Sequence, residues 1–230
     1  MKKLIYLSVL FLFLFVPSVH AAPKAVIRGA VIRDAKIAPV VEDPCAGLNV
    51  GDTCTNGVLY AGTGFAALGS DYKYMTTPGN CTDFPNNFTE FTPTCNGAVD
   101  TLGNKGWAAG TGTSAYLINT GLTGLLTGQS NTLSLTTMYT DTNAARYCAN
   151  MVYPAGGYTD WYLPAQQELN LVFYGMHAAG QGNFTTGNFY WSSTELDANT
   201  SSSQIFNVPN NYGVCEKPNN HIARCIRRYL

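Results

Sequence analysis

The chain has 230 residues, of which 46% are hydrophobic and only 12% charged, and its formal net charge is −1. This length fits one large domain, or one domain with an extension. The balance offers no basic field for nucleic acid or an anionic membrane. Abundant Gly, Asn, Thr and Tyr, with few Leu-rich runs, predict short strands, long loops and few helices.

Met1-Lys2-Lys3 is a short positive start, and Leu4 to Val16 is almost wholly apolar. Pro17 to Ala21 follows as a small-residue cleavage site, with Val19 and Ala21 at the −3 and −1 positions. Residues 1–21 therefore read as a cleaved signal peptide and not as a membrane span. Losing Lys2 and Lys3 makes the mature chain more acidic, near −3. No later stretch is apolar enough to cross a bilayer. Residues 22–44 repeat Ala25-Val26-Ile27-Arg28 as Ala30-Val31-Ile32-Arg33. They are expected to form an N-terminal extension, either a tether or a strand through which copies join as a homo-oligomer.

The domain proper is placed at 45–230. Seven cysteines lie beyond residue 21, and in an exported protein they read as disulfides with one left over. Cys45 with Cys54 and Cys81 with Cys95 are candidate local staples, although sequence alone does not fix connectivity. No CxxC pair is present, and only His177 and His221 follow the signal, so no metal or other cofactor is expected. Gly110-Thr111-Gly112-Thr113-Ser114 lacks the Gly-Lys-Ser/Thr ending of a phosphate loop and reads as a turn.

Two helices are predicted. In the first, Thr142 or Asn143 is the cap, and Ala144, Tyr147, Cys148, Met151 and Val152 share one apolar face. In the second, Pro164 occupies the first position and Gln166 reaches back to Leu163 as half a capping box. Leu169, Val172, Phe173 and Met176 form its buried stripe, and Gly175 is available to end it. Strands are predicted over 57–61, 189–194, 203–208 and 221–227.

Three motifs now stand in order. They are Gly157-Tyr158-Thr159-Asp160-Trp161-Tyr162-Leu163-Pro164 with Glu168-Leu169, Tyr190-Trp191-Ser192-Ser193-Thr194-Glu195, and Arg224-Cys225-Ile226-Arg227. With Val58 to Gly62 and Ala144 to Cys148, they resemble the bacterial family named after the C-terminal domain of the collagen-like adhesin Lcl. The resemblance spans most of residues 55–228. It implies an α+β, C-type-lectin-like fold: two helices packed on a small twisted antiparallel sheet, with long disulfide-stapled loops. It also implies a non-catalytic surface-binding role toward polysaccharide or another cell-surface ligand. The chain departs from the adhesin in having no Gly-X-Y stalk and an acidic mature charge.

In such a fold Asp160, Trp161, Pro164, Glu168, Trp191, Ser192 and Arg224 are structural. Trp161 would plug the core, while Asp160 and Glu168 would hold backbone donors or a C-terminal arginine. Cys148, on the inward face of its helix, is predicted to bond Cys225, which lies between Ile222 and Ile226. Candidate ligand-binding residues are Asn210, Asn211, Tyr212, Glu216, Lys217, Asn219, Asn220 and Arg228, since amides, a phenol and a few cations suit adaptable polar recognition. The competing expectations are a structural subunit of an extracellular assembly and an oxidase of the formylglycine-generating kind. The latter needs closely spaced redox cysteines, which Cys215 and Cys225 match poorly. No GxSxG elbow or placed Ser/His pair points to a hydrolase, so no catalytic residue is assigned.

Overall fold

The computed structural model describes residues 43–68, 72–81, 90–100, 106–107, 119–139 and 143–230. The stretch read as a signal peptide, nearly all of the expected extension and residues 110–114 lie outside them. The described residues form an α+β structure with two antiparallel three-stranded sheets. The first contains β1 (Leu59–Thr63), β2 (Lys73–Thr76) and β6 (Ile226–Tyr229), in the order β1-β2-β6. The second contains β3 (Tyr190–Glu195), β4 (Thr200–Gln204) and β5 (Tyr212–Glu216), in sequence order. Ile222, ahead of β6, exchanges backbone hydrogen bonds with Phe189 and Trp191.

Besides the short 3-10 helix Ala66–Leu68, three helices flank the sheets among the described residues. They are α1 (Gly128–Met138), α2 (Ala144–Ala149) and α3 (residues 166–178), and α3 is α-helical at Gln166–Glu168 and Gly175–Ala178 around a π-helical Leu169–Tyr174. Asn143 caps α2, its side chain accepting from the Arg146 N–H at 2.8 Å. In α3, Leu169, Val172, Phe173 and Met176 are fully buried. The start of α3 differs from expectation. Pro164 precedes the helix, and Glu168 rather than Gln166 closes the first turn by accepting from Ala165 N–H at 2.8 Å. Gly175 continues the helix, which ends near Gly180, where a φ of +72° suits a residue without a side chain.

Helix α1 and strands β2 and β5 were not anticipated. Strand β4 lies at 200–204, so the strand predicted over 203–208 ends at Gln204 and gives way to a turn at Phe206–Asn207. The pattern misleads there because β4 is a central strand of buried polar residues: Ser201, Ser202, Ser203 and Gln204 are all at most 1% exposed. Small side chains are needed in so tight a layer. A Cβ on Gly213, opposite Ser203, would meet Phe189 at 2.3 Å. Between Trp191 and Glu195 the β3–β4 register slips, a bulge that frees Ser193 and Glu195 to take Pro164 and Leu122 as backbone partners.

Two apolar clusters fill the interior, one around Trp107, Trp161 and Trp191 and the other around Phe173, Phe184, Tyr190 and Phe206. Three disulfides cross-link the chain: Cys45–Cys54, Cys81–Cys95 and Cys148–Cys225. Bonds of this kind persist in oxidising compartments. Cys215 is the remaining thiol, buried against Ser203. Asp43, assigned to the extension by composition, is tied into the domain by Lys73 and by the Tyr229 hydroxyl at 2.8 Å. No helix among the described residues is long and apolar enough to cross a membrane.

Candidate functional site

Where α1 runs past residues 159–162 the two elements leave a cleft of about 690 Å³, within the range of small-ligand sites. Gln129, Ser130, Leu133 and Thr136 project from α1 into it, and the Thr159–Tyr162 segment forms the opposite wall. Glu168 and Arg228 close the end at the start of α1, where Glu168 takes the Gly128 N–H at 3.0 Å and Arg228 donates to Gln129 Oε1 at 3.0 Å.

Both walls are fixed by contacts beyond the cleft. Tyr162 exchanges two backbone hydrogen bonds with Ile226, at 2.9 and 3.0 Å. The Asp160 carboxylate accepts a bidentate pair from Arg227, at 2.7 and 2.9 Å, and the Arg227 guanidinium lies 3.6 Å from the centre of the Tyr158 ring. The Trp161 indole N–H reaches the carbonyls of Tyr153 and Tyr158. On the α1 side the Thr132 hydroxyl accepts from Leu163 N–H and donates to Leu163 O. One carboxylate oxygen of Glu168 caps both α1 and α3. A Cβ on Gly128 would sit 2.1 Å from that oxygen, so only glycine permits the approach.

The floor is polar and buried. Burial raises the Glu168 carboxyl above its usual value, opposed by the two backbone N–H groups and by the Arg228 charge. Tyr162 is 1% exposed, and burial raises its phenol far above the ordinary range, with the Glu168 charge adding to the effect. Its hydroxyl faces the Glu168 carboxylate, an interaction that raises the phenol and opposes the rise of the carboxyl. Arg228 remains part-exposed, stacked 4.9 Å from the Tyr72 ring centre.

Of the eight residues expected to meet a ligand, Arg228 is the one that lines this cleft. Lys217 has to be corrected: its side chain is 0% exposed and pairs with Glu195 at 2.6 Å, and it donates to Ala198 O and lies over the Trp107 ring. Burying Lys217 leaves no surface charge there for an acidic ligand. Asn210 is exposed but committed to Asn170, through side chain and backbone, and accepts from the Tyr212 hydroxyl at 3.2 Å. Asn211 donates to Asn207, and Glu216, Asn219 and Asn220 are exposed around the following turn. These residues lie in and on either side of β5, and none of them lines the cleft.

Residues expected to be structural lie in the interior or in tight networks. Trp161 is 3% exposed and Trp191 0%, and the Ser192 hydroxyl donates to Ser202 O. Arg224 pairs with Asp100 at 2.7 Å, and the same Asp100 oxygen accepts from the Tyr190 hydroxyl. Because Cys225 is bonded to Cys148, it is not available as a redox partner of Cys215. Among the described residues no His, Cys, Asp or Glu cluster is arranged to hold a metal.

Gln129, Ser130, Leu133 and Tyr162 escaped sequence reasoning. The signal for α1 was present, since Gly128, Asn131, Thr132 and Leu135 are its buried positions at helical spacing. That stripe is carried mostly by Gly, Asn and Thr, which a search for apolar periodicity passes over. No protein-family model matches the chain, and no curated protein matches it significantly.

Proposed function

We propose that this protein is an exported, non-catalytic glycan-recognition module, an adhesin-type domain of the C-type-lectin-like architecture that its Lcl-like motifs imply. The observation that carries the reading is the cleft between α1 and residues 159–162. It is preformed, its walls are held by the Arg227–Asp160 pair and the Glu168 caps, and it presents hydroxyl, amide, carboxylate and guanidinium groups around an apolar strip at Leu133. Polar groups placed on a rigid frame suit ligands recognised by hydrogen bonds. The three disulfides support export.

A glycan array probed with the secreted protein tests this. Leu133 is 70% exposed, so Leu133→Trp blocks the cleft without disturbing the core. Specific array signals that vanish in this variant, at an unchanged melting temperature, are the expected result. Signals indifferent to Leu133→Trp would place recognition elsewhere.

A further inference from the structure

The two sheets end in the outer strands β1, β6, β3 and β5, and the first three are met by backbone from outside the sheet. Residues 51–54 run beside β1, where Gly51 N–H donates to Tyr60 O and Tyr60 N–H to Asp52 O. Tyr162 exchanges two hydrogen bonds with Ile226 of β6. Beside β3, the N–H groups of Trp191, Ser193 and Glu195 reach Ile222, Pro164 and Leu122. Strand β5 has no such cover among the described residues. We propose that β5 is an interaction edge whose partner is β5 of a second copy of this chain, paired antiparallel about a two-fold axis at Val214. The inference is independent of what the cleft binds.

Pairing with β4 decides which backbone groups of β5 face outward. Ile205 N–H donates to Asn211 O and Lys217 N–H to Asn199 O, in the register that sets Ser201 opposite Cys215 and Ser203 opposite Gly213. Gly213 and Cys215 therefore bond β4, while Tyr212, Val214 and Glu216 turn their N–H and C=O groups away from it. Two of these are used locally, because Tyr212 N–H donates to Asn210 O and Glu216 O accepts from Asn219 N–H. The Tyr212 carbonyl, both groups of Val214 and the Glu216 N–H are left. That set is self-complementary. Across a two-fold axis at Val214, the two Val214 residues exchange both their hydrogen bonds, and each Glu216 N–H meets the Tyr212 carbonyl of the other copy. A longer strand would bring further groups against Tyr212 N–H and Glu216 O, which are already engaged.

The side chains agree with this register. Val214 is 71% exposed, and the axis places the two valines side by side, where each covers the other. Tyr212 comes opposite Glu216, so no like charges meet across the pair. Open edges are usually guarded by lysine, proline or a bulge. Residues 212–216 hold no lysine or proline, and the β4–β5 register runs from Thr200–Glu216 to Gln204–Tyr212 without a shift. The contact uses the same patch on both copies, as a two-fold dimer requires. An interface limited to one short strand belongs to the weak, transient class. It would carry two clefts on one particle, which strengthens attachment to any surface that repeats the ligand.

The experiment follows sedimentation velocity and amide hydrogen exchange of the full secreted protein between roughly 5 µM and 1 mM, a range that spans weak affinities. The dimer fraction should rise with concentration, and exchange at the Val214 and Glu216 amides should slow in step with it. The Gly213 and Cys215 amides, bonded to β4 in the monomer, should change little. Val214→Pro removes an N–H that bonds nothing within the chain, at an edge position where proline is tolerated. Val214→Lys sets like charges face to face across the axis. Both should abolish the dimer while the melting temperature of dilute protein stays near that of wild type. In Val214→Cys a short bismaleimide should link residue 214 of one copy to residue 214 of the other, with wild type giving the background from the buried Cys215. A monomer at every concentration would overturn the proposal, as would a dimer that persists in both variants or leaves those two amides unslowed. Val214 and Glu216 amides already protected in dilute protein would show that the same chain covers the edge, and would also overturn it. A dimer without the 214–214 link would assign the edge to a different strand and overturn the two-fold pairing.

Discussion

Trp161 and Lys217 illustrate how residues of opposite character come to be buried. The indole lies in the first apolar cluster, edge-on to Tyr153, while its single N–H is shared by two carbonyls. Truncating so large a side chain loses both transfer free energy and packing, and Trp161→Ala should cost about 3–5 kcal/mol. A thermal melt superimposable on wild type would show that the ring is not a core element. Lys217 is tolerated because its partners are complete: Glu195 accepts from it and from the N–H groups of Thr120 and Gly121. Lys217→Met strands the Glu195 charge and should cost roughly 3–5 kcal/mol in urea denaturation at neutral pH. A loss of stability indistinguishable from zero would mean that the pair is not closed in solution.

The same network predicts an acid limb. Burial alone would raise the Glu195 carboxyl, but hydrogen bonds from Lys217 and Thr120 outweigh it and hold the group below its usual 4.5. A carboxyl lowered by folding stabilises the native state above its unfolded value, and that contribution disappears as pH falls through the folded one. Glu168 has the opposite sign. Its raised carboxyl favours the fold most below the usual value, and the advantage is lost as pH climbs through the folded one. Stability measured from neutral to acid pH should therefore fall more gently in Glu195→Gln than in wild type. Identical slopes would remove Glu195 from the acid response.

At the level of elements, the 148–225 disulfide and the start of α1 tie distant parts of the chain together. The disulfide closes a 77-residue separation, and replacing both cysteines by serine should cost about 4 kcal/mol on the chain-entropy account. Peptide mapping without reduction should recover the 148–225 link, and a free thiol at either position would contradict it. Gly128→Ala should push α1 away from Glu168, with a loss of about 1–3 kcal/mol from overpacking and weaker ligand binding. Retention of both stability and affinity would show that the Glu168 cap does not position the wall.

These elements also mark the limit of sequence reasoning. Asn143 and the Leu169–Met176 stripe were legible because a local cap and an apolar repeat encode each of them. Helix α1 was not, because Thr127 provides no side-chain cap and the carboxylate that serves instead lies 40 residues onward. The burial of Lys217 was equally hidden, because Glu195 and Trp107 meet it only through the fold.

For the molecule as a whole, the described residues build two sheets flanked by helices and cross-linked by three disulfides. The stretch from Asp160 to Pro164 stands at the centre of that arrangement. It was legible as architecture, and Trp161 indeed lies in the core, but the same backbone forms a wall of the cleft. A structural motif can therefore also be a binding surface, one face set by packing and the other left open. The contrasting candidate is the Asn207–Asn220 region, rich in amides, of which Asn210 is engaged by Asn170 and Asn211 by Asn207. The most direct discrimination is an NMR titration of isotope-labelled protein with an oligosaccharide drawn from an array hit. The account predicts that perturbed amides cluster at Gln129–Thr136, Thr159–Tyr162 and Arg228. Perturbations confined to residues 207–220, with α1 unchanged, would contradict it.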